Sequence, residues 1–167
     1  MTATPITIAD YDPKWAELFE VERAAIVGEL GATALRVEHI GSTSVPQLAA
    51  KPIIDILLVL PVIPADPAVI ATLGRLGYSH HGEYGIAQRA YFKKGEPRSH
   101  HIHAFAPGDA NIKRHLLFRD FLRLHPVDAE RYLALKRGLA ASGLAGNSYA
   151  DAKSTFVNEI VKRARSL

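Results

Sequence analysis

The chain has 167 residues, 48% hydrophobic and 22% charged, with a formal net charge of +3 and eight histidines. That balance belongs to a folded globular protein, and the length fits one domain spanning residues 1–167. Cysteine is absent from the sequence, which excludes disulfides, thiolate metal sites and cysteine nucleophiles. The longest apolar run, from Ile53 to Ile63, is broken by Asp55 and Pro61 and falls short of the ~18 residues a membrane helix needs. The first residues, Met1-Thr-Ala-Thr-Pro5, show neither a basic segment nor an apolar signal core, so a cytoplasmic location away from membranes is expected. The positive charge is mild and unclustered, so nucleic acid is not indicated as a partner, whereas small anions such as nucleotides suit it.

Asp12-Pro13 reads as an N-cap followed by the first helical residue. Trp15, Leu18, Phe19, Ile26 and Leu30 follow helical spacing to a stop at Gly31. Residues 34–40 alternate as a strand would, with Leu35, Val37 and His39 on one face. Ile53 to Leu60 is almost continuously apolar, as expected for a central strand covered on both sides. Asp66-Pro67 repeats the helix-start signal, and that helix should end near Gly77. Strands are predicted over 78–84 and 88–94, then a turn from Gly95 to Arg98 and a third strand over 99–106. Helices are predicted over about 109–125, 128–142 and 149–165, separated at His125-Pro126 and at Ser142 to Gly146. The layout is α+β: a mixed or antiparallel sheet of about five strands with helices at both chain ends.

Polar chemistry concentrates in two places. The first runs from Gly41 to Asp55. Gly41 allows close approach to the backbone, and Ser42, Thr43 and Ser44 supply donors suited to phosphate oxygens. Asp55 interrupts an apolar strand, so its carboxylate must be paired, hydrogen-bonded or bound to a cation. The alternative is a structural Ser/Thr turn, with Asp55 satisfied by backbone N–H groups or by Lys51.

The second is Ser99-His100-His101-Ile102-His103, which places His101 and His103 on one strand face. Two imidazoles at i and i+2 can grip a transition metal, or act as a base and its orienter. A pair of hydrogen-bonded structural histidines is the alternative. Arg89, Lys93, Lys94 and Arg98 crowd the predicted hairpin, either holding phosphate groups or forming a solvated surface. Arg119, Arg123 and Asp120 read as an ion-pair face.

Glu38-His39-Ile40-Gly41-Ser42-Thr43-Ser44-Val45-Pro46 with Lys51-Pro52-Ile53-Ile54-Asp55-Ile56 resembles the signature of the GrpB family. The resemblance continues through Tyr91-Phe92, His100 to His103, Leu117 to Arg123, Tyr132 with Leu135-Lys136, and Tyr149 with Lys153. Gln47 departs from it, since the family pattern usually has glycine there. The resemblance implies a nucleotidyltransferase-like fold, with Gly41, Ser42 and Asp55 matching the wider superfamily pattern of Gly-Ser followed by strand carboxylates. That pattern carries two carboxylates at i and i+2 to hold Mg²⁺ against a triphosphate, and here the second position is Leu57.

By the same resemblance, His101 and His103 lie beside Asp55, within about 8 Å, and with Glu38 or His39 they make a mixed nitrogen and oxygen set. His39 could equally be a core histidine, and Glu38 a salt-bridge partner. The implied function is binding of a nucleoside triphosphate with a divalent metal, Mg²⁺ or Mn²⁺ with Zn²⁺ as the alternative, and transfer of a nucleotidyl or phosphoryl group to a small acceptor. Asp55, His101 and His103 are the candidate catalytic residues and, with Glu38, the candidate metal ligands. Gly41, Ser42, Thr43, Ser44, Lys51 and Arg89 are the candidate phosphate-binding residues. Among Lys136, Tyr149 and Lys153, one is implied to line the nucleotide cleft. The competing readings are a non-catalytic nucleotide-binding module and a metal-dependent hydrolase using the His101/His103 pair.

Overall fold

The computed structural model describes residues 7–143 and 146–167, with 146–150 described by backbone alone. In chain order the elements are α1 (Lys14–Leu30), β1 (Arg36–Ile40), β2 (Ile54–Val59), α2 (Pro67–Arg75), β3 (Tyr78–His80), β4 (Ala90–Lys94), β5 (His100–Phe105), α3 (Ala110–Leu124), α4 (Pro126–Ala141) and α5 (Gly146–Arg165). The five strands form one mixed sheet in the order β1-β2-β5-β4-β3. Only the β2–β5 pair is parallel. Among the described residues no helix is long and apolar enough to cross a membrane.

Local signals place the helix starts. The Asp12 side chain accepts from the Lys14 N–H at 2.9 Å, and that of Asp66 from the Ala68 N–H at 2.9 Å. Pro126 opens α4 two residues before the expected start, because its fixed φ is already helical and its missing N–H is one that a first turn leaves unbonded anyway. Leu18 departs from the predicted inward stripe, being 48% exposed, whereas Trp15, Phe19 and Ile26 are buried. Leu35 lies outside β1 and is likewise exposed. The strand expected over 78–84 stops at His80, where the chain leaves the sheet for a loop that Arg89 ties down.

Residues directly opposite in the ladders share a face. One face of the sheet carries Ile54, Ile56 and Leu58 with Phe92 and Ile102, packed with Trp15, Phe19 and Ile26 of α1 and Leu73 of α2. The other face carries Ile40, Leu57 and Phe105, packed with Ile112 and Leu116 of α3. A third cluster joins Val45 and Leu48 of the β1–β2 loop to Phe121, Leu122, Tyr132 and Ile160 of the last three helices. That loop is thus clamped between the sheet and the C-terminal helices.

Candidate functional site

The β2–β5 pairing aligns Asp55 with His101 and Leu57 with His103, and the β4–β5 pairing sets Lys93 beside His101 and Tyr91 beside His103. All of these residues share one face. His103 Nε2 lies 3.0 Å from Asp55 Oδ1, and His101 Nδ1 lies 3.6 Å from the same oxygen, too far for a hydrogen bond. The two histidines and the carboxylate therefore converge as the sequence leads one to expect.

Arg89 Nη1 stands 3.3 Å from His103 Nδ1. A guanidinium only donates, so Nδ1 accepts, and the His103 proton sits on Nε2, where it is given to Asp55. Burial alone would push the Asp55 carboxyl up. The two imidazoles outweigh that and hold it well below the ordinary carboxylate range.

Gly41 sits at φ +74°, and a Cβ on it would lie 2.6 Å from Asp55 Oδ2. Glycine is required there to let the loop pass against the carboxylate. The hydroxyls that follow are used unequally. Thr43 and Ser44 are buried. Thr43 Oγ1 donates to the Ile53 carbonyl at 3.2 Å and accepts from His39 Nε2 at 2.9 Å, and Ser44 Oγ donates to the Gly41 carbonyl. Both side chains hold the loop's own shape and offer nothing to a ligand, contrary to expectation. The Ser42 hydroxyl is hydrogen-bonded to that of Tyr132. Gln47 adopts φ +70°, the left-handed region that favours the glycine it replaces.

Several other expected site residues fall elsewhere. Glu38 shares the sheet face of Asp55, opposite Leu57, but its carboxylate ion-pairs with Arg119 of α3 at 2.7 Å and with Arg36 at 3.2 Å. His39 is a core histidine stacked on Phe19 at 4.8 Å, and burial pushes its pKa down to about 4. Arg89 is not a free phosphate clamp. Its Nε donates to the Glu83 carbonyl and Nη2 to that of Tyr84, which leaves Nη1 to His103. Lys94 pairs with Glu22 at 2.7 Å on the opposite face, and Arg123 donates to the Ser44 carbonyl at 2.9 Å. Tyr149 lies outside the residues whose side chains are described.

These donors do not make a cage for a resident divalent metal. Both imidazoles turn to one carboxylate oxygen, and the i+2 strand position is the fully buried Leu57. Among the described residues, no three His, Cys, Asp or Glu side chains are arranged to hold a metal ion.

What the sequence underweighted is a group of lysines. Lys136 is buried, donates to the Ala49 carbonyl at 3.0 Å and lies 4.9 Å from the Tyr132 ring centre. Burial first, then the charges of Lys153 and Lys51, pull its pKa down to about 7. The same causes lower Lys51, where burial leads and Lys153 follows. Lys153 Nζ lies 5.9 Å from the Tyr132 ring, and burial lowers its pKa while Asp55 raises it. Lys136 and Lys153 thus gather at the Tyr132 ring, with Lys51 within their field and that of Asp55. Tyr132 and Lys136, one helical turn apart on α4, were the available signal.

The arrangement of sheet and helices has counterparts among solved structures. It is similar in fold to the Cid1 poly(U) polymerase, with a TM-score of 0.56 at 14% identity over 87% of this chain and 50% of that one. The chain belongs to the GrpB family, whose model, "GrpB protein", matches residues 5–163. The conserved protein GrpB from Enterococcus faecalis, a crystal structure, superposes with a TM-score of 0.86 at 40% identity, covering 95% of this chain and 96% of that one. The UPF0157 protein YqkA of Bacillus subtilis is 41% identical over 162 residues. That match covers 96% of this chain, which spans about half (47%) of the length of YqkA.

Proposed function

We propose that this chain binds a nucleoside triphosphate on its nucleotidyltransferase-like scaffold and passes a nucleotidyl group to a small acceptor. The observation that carries the reading is the lysine group: Lys136 and Lys153 at the Tyr132 ring, whose hydroxyl bonds to Ser42 of the Gly41–Ser42 turn, with Lys51 in their field. Such a group depresses its own members' charge and is relieved by an anion of several charges, which a triphosphate supplies. Asp55 stands at its edge, in the strand position where the superfamily pattern places its first carboxylate. The acceptor oxygen would bond to the α-phosphorus as the bond to the bridging oxygen breaks, with pyrophosphate leaving and the acceptor's proton passing to solvent. A divalent metal, in this reading, arrives with the nucleotide rather than residing in the protein. The fold neighbour Cid1 was solved with MgATP bound, which supports the ligand class.

A second reading, a nucleotide-binding module without chemistry, is favoured by Leu57 in place of the second carboxylate. Calorimetric titration with ATP, CTP, GTP and UTP, each with Mg²⁺ and with EDTA, tests binding, and release of pyrophosphate separates the two readings. Lys51→Met with Lys153→Met should weaken nucleotide binding at least tenfold. If no triphosphate binds under either condition, both readings fail.

A further inference from the structure

We infer that Tyr84 is the stacking platform for the acceptor, and that the acceptor carries a nucleobase. This rests on the nucleotidyl-transfer reading and names the class of its second substrate. The Tyr84 ring lies parallel on that of Tyr91, with centroids 4.9 Å apart and planes at 10°. Tyr91 in turn meets His103 at 5.2 Å and His101 at 5.4 Å. A continuous series of rings therefore runs from the Asp55 carboxylate across β5 and β4 and ends at the surface, where Tyr84 is 43% exposed. Lys51 leads into β2, which lies across β5 from β4, so the two substrates would meet over the strands that carry Asp55 and the histidines.

The outermost ring is held with some backbone strain. Tyr84 adopts φ +49° and Gln88 φ +64°, conformations that L side chains rarely take. Arg89 fixes the loop through the Tyr84 carbonyl at 2.8 Å, and the Glu83 carboxylate accepts from the Gln88 N–H at 2.6 Å. An apolar side chain seeking burial would not need to be presented at the surface in this way. Lys93 Nζ lies 4.0 Å from the Tyr84 ring centre, and the charge of Arg98 is felt at both Tyr84 and Lys51. An aromatic face bordered by cations is the arrangement that stacks a base and holds its phosphate.

The experiment uses the full chain saturated with inorganic tripolyphosphate, then titrated with AMP, UMP or ribose 5-phosphate. Both nucleotides should bind roughly tenfold more tightly than ribose 5-phosphate, the gain that one stacked base gives. Tyr84→Ala should abolish that preference and Tyr84→Trp should keep it, with tripolyphosphate affinity unchanged in both. Equal binding of AMP, UMP and ribose 5-phosphate to the wild type, or a preference that survives Tyr84→Ala, overturns the inference. Loss of tripolyphosphate binding by the wild type would instead count against the lysine site, independently of the Tyr84 result.

Discussion

Lys136→Met should make the ligand-free protein more stable near neutral pH, although it removes a hydrogen bond. In the folded chain the Lys136 pKa stands at about 7 against an ordinary 10.5. At ~1.36 kcal/mol per pH unit, keeping this lysine buried costs about 5 kcal/mol at pH 7. Methionine fills a similar volume without charge. It leaves the Ala49 carbonyl without its donor, a loss of about 1–3 kcal/mol, and it removes the contact with Tyr132, about 0.5–1 kcal/mol. The balance favours methionine by roughly 1–3 kcal/mol, or on the order of 5 °C in Tm for a chain of this length. The sign with pH is equally specific. Between about 7 and 10.5 the unfolded chain holds a proton that the folded chain has released, so wild-type stability rises across that window. Differential scanning calorimetry at about pH 7 and about pH 10 should find a methionine advantage at the lower pH that is lost or reversed at the higher one. A variant less stable than wild type at neutral pH, or a difference indifferent to pH, refutes the reasoning.

Gly41→Ala should destabilise by about 2–4 kcal/mol in urea melts, since the new methyl meets Asp55 at a positive φ, and an unchanged midpoint would show that the loop can slide off β2. Gln47→Gly should raise stability by about 0.5–1 kcal/mol by relieving the left-handed backbone, and a drop would count against strain at that position. The Asp55 carboxyl sits below its ordinary 3.8, so its contribution is complete above that pH and lost as the pH falls through the lower folded value. Acid unfolding should therefore show Asp55→Asn less stable than wild type near neutral pH, with the gap closing in acid; a constant gap would mean that charge is not its cause.

The helix boundaries were legible because they rest on local chemistry. Asp66-Pro67 carries its own cap and first helical residue, and the β-rich apolar run Ile53–Leu60 suggested a covered central strand, which β2 is. The residues themselves marked Asp55, His101 and His103 as polar interruptions of strand-like sequence, and the family resemblance supplied their meeting. Burial was harder to read. Leu18 has the right spacing on α1 yet faces outward, while Glu22 turns inward to accept from Tyr78 at 2.7 Å and from Lys94, partners 56 and 72 residues away. Thr43 and Ser44 look like ligand donors until the fold assigns their hydroxyls to the loop itself. Arg89 looks like a phosphate clamp until the backbone of its own loop takes up its donors. The lysine group joins Lys51 to Lys136 and Lys153 across the whole chain, a proximity that no local pattern encodes.

Leu57 sets a direction on what this scaffold can become. It lies fully buried against Ile40 and Phe105, and its neighbour across β5 is His103, already committed to Asp55. Placing a carboxylate there by one substitution would bury a second charge between Glu38 of β1 and the committed His103, against Ile40 and Phe105, at a cost of several kcal/mol that a domain of ordinary stability does not have to spare. Installing a second carboxylate at this position would require Ile40, Phe105 and the histidine strand to change in concert.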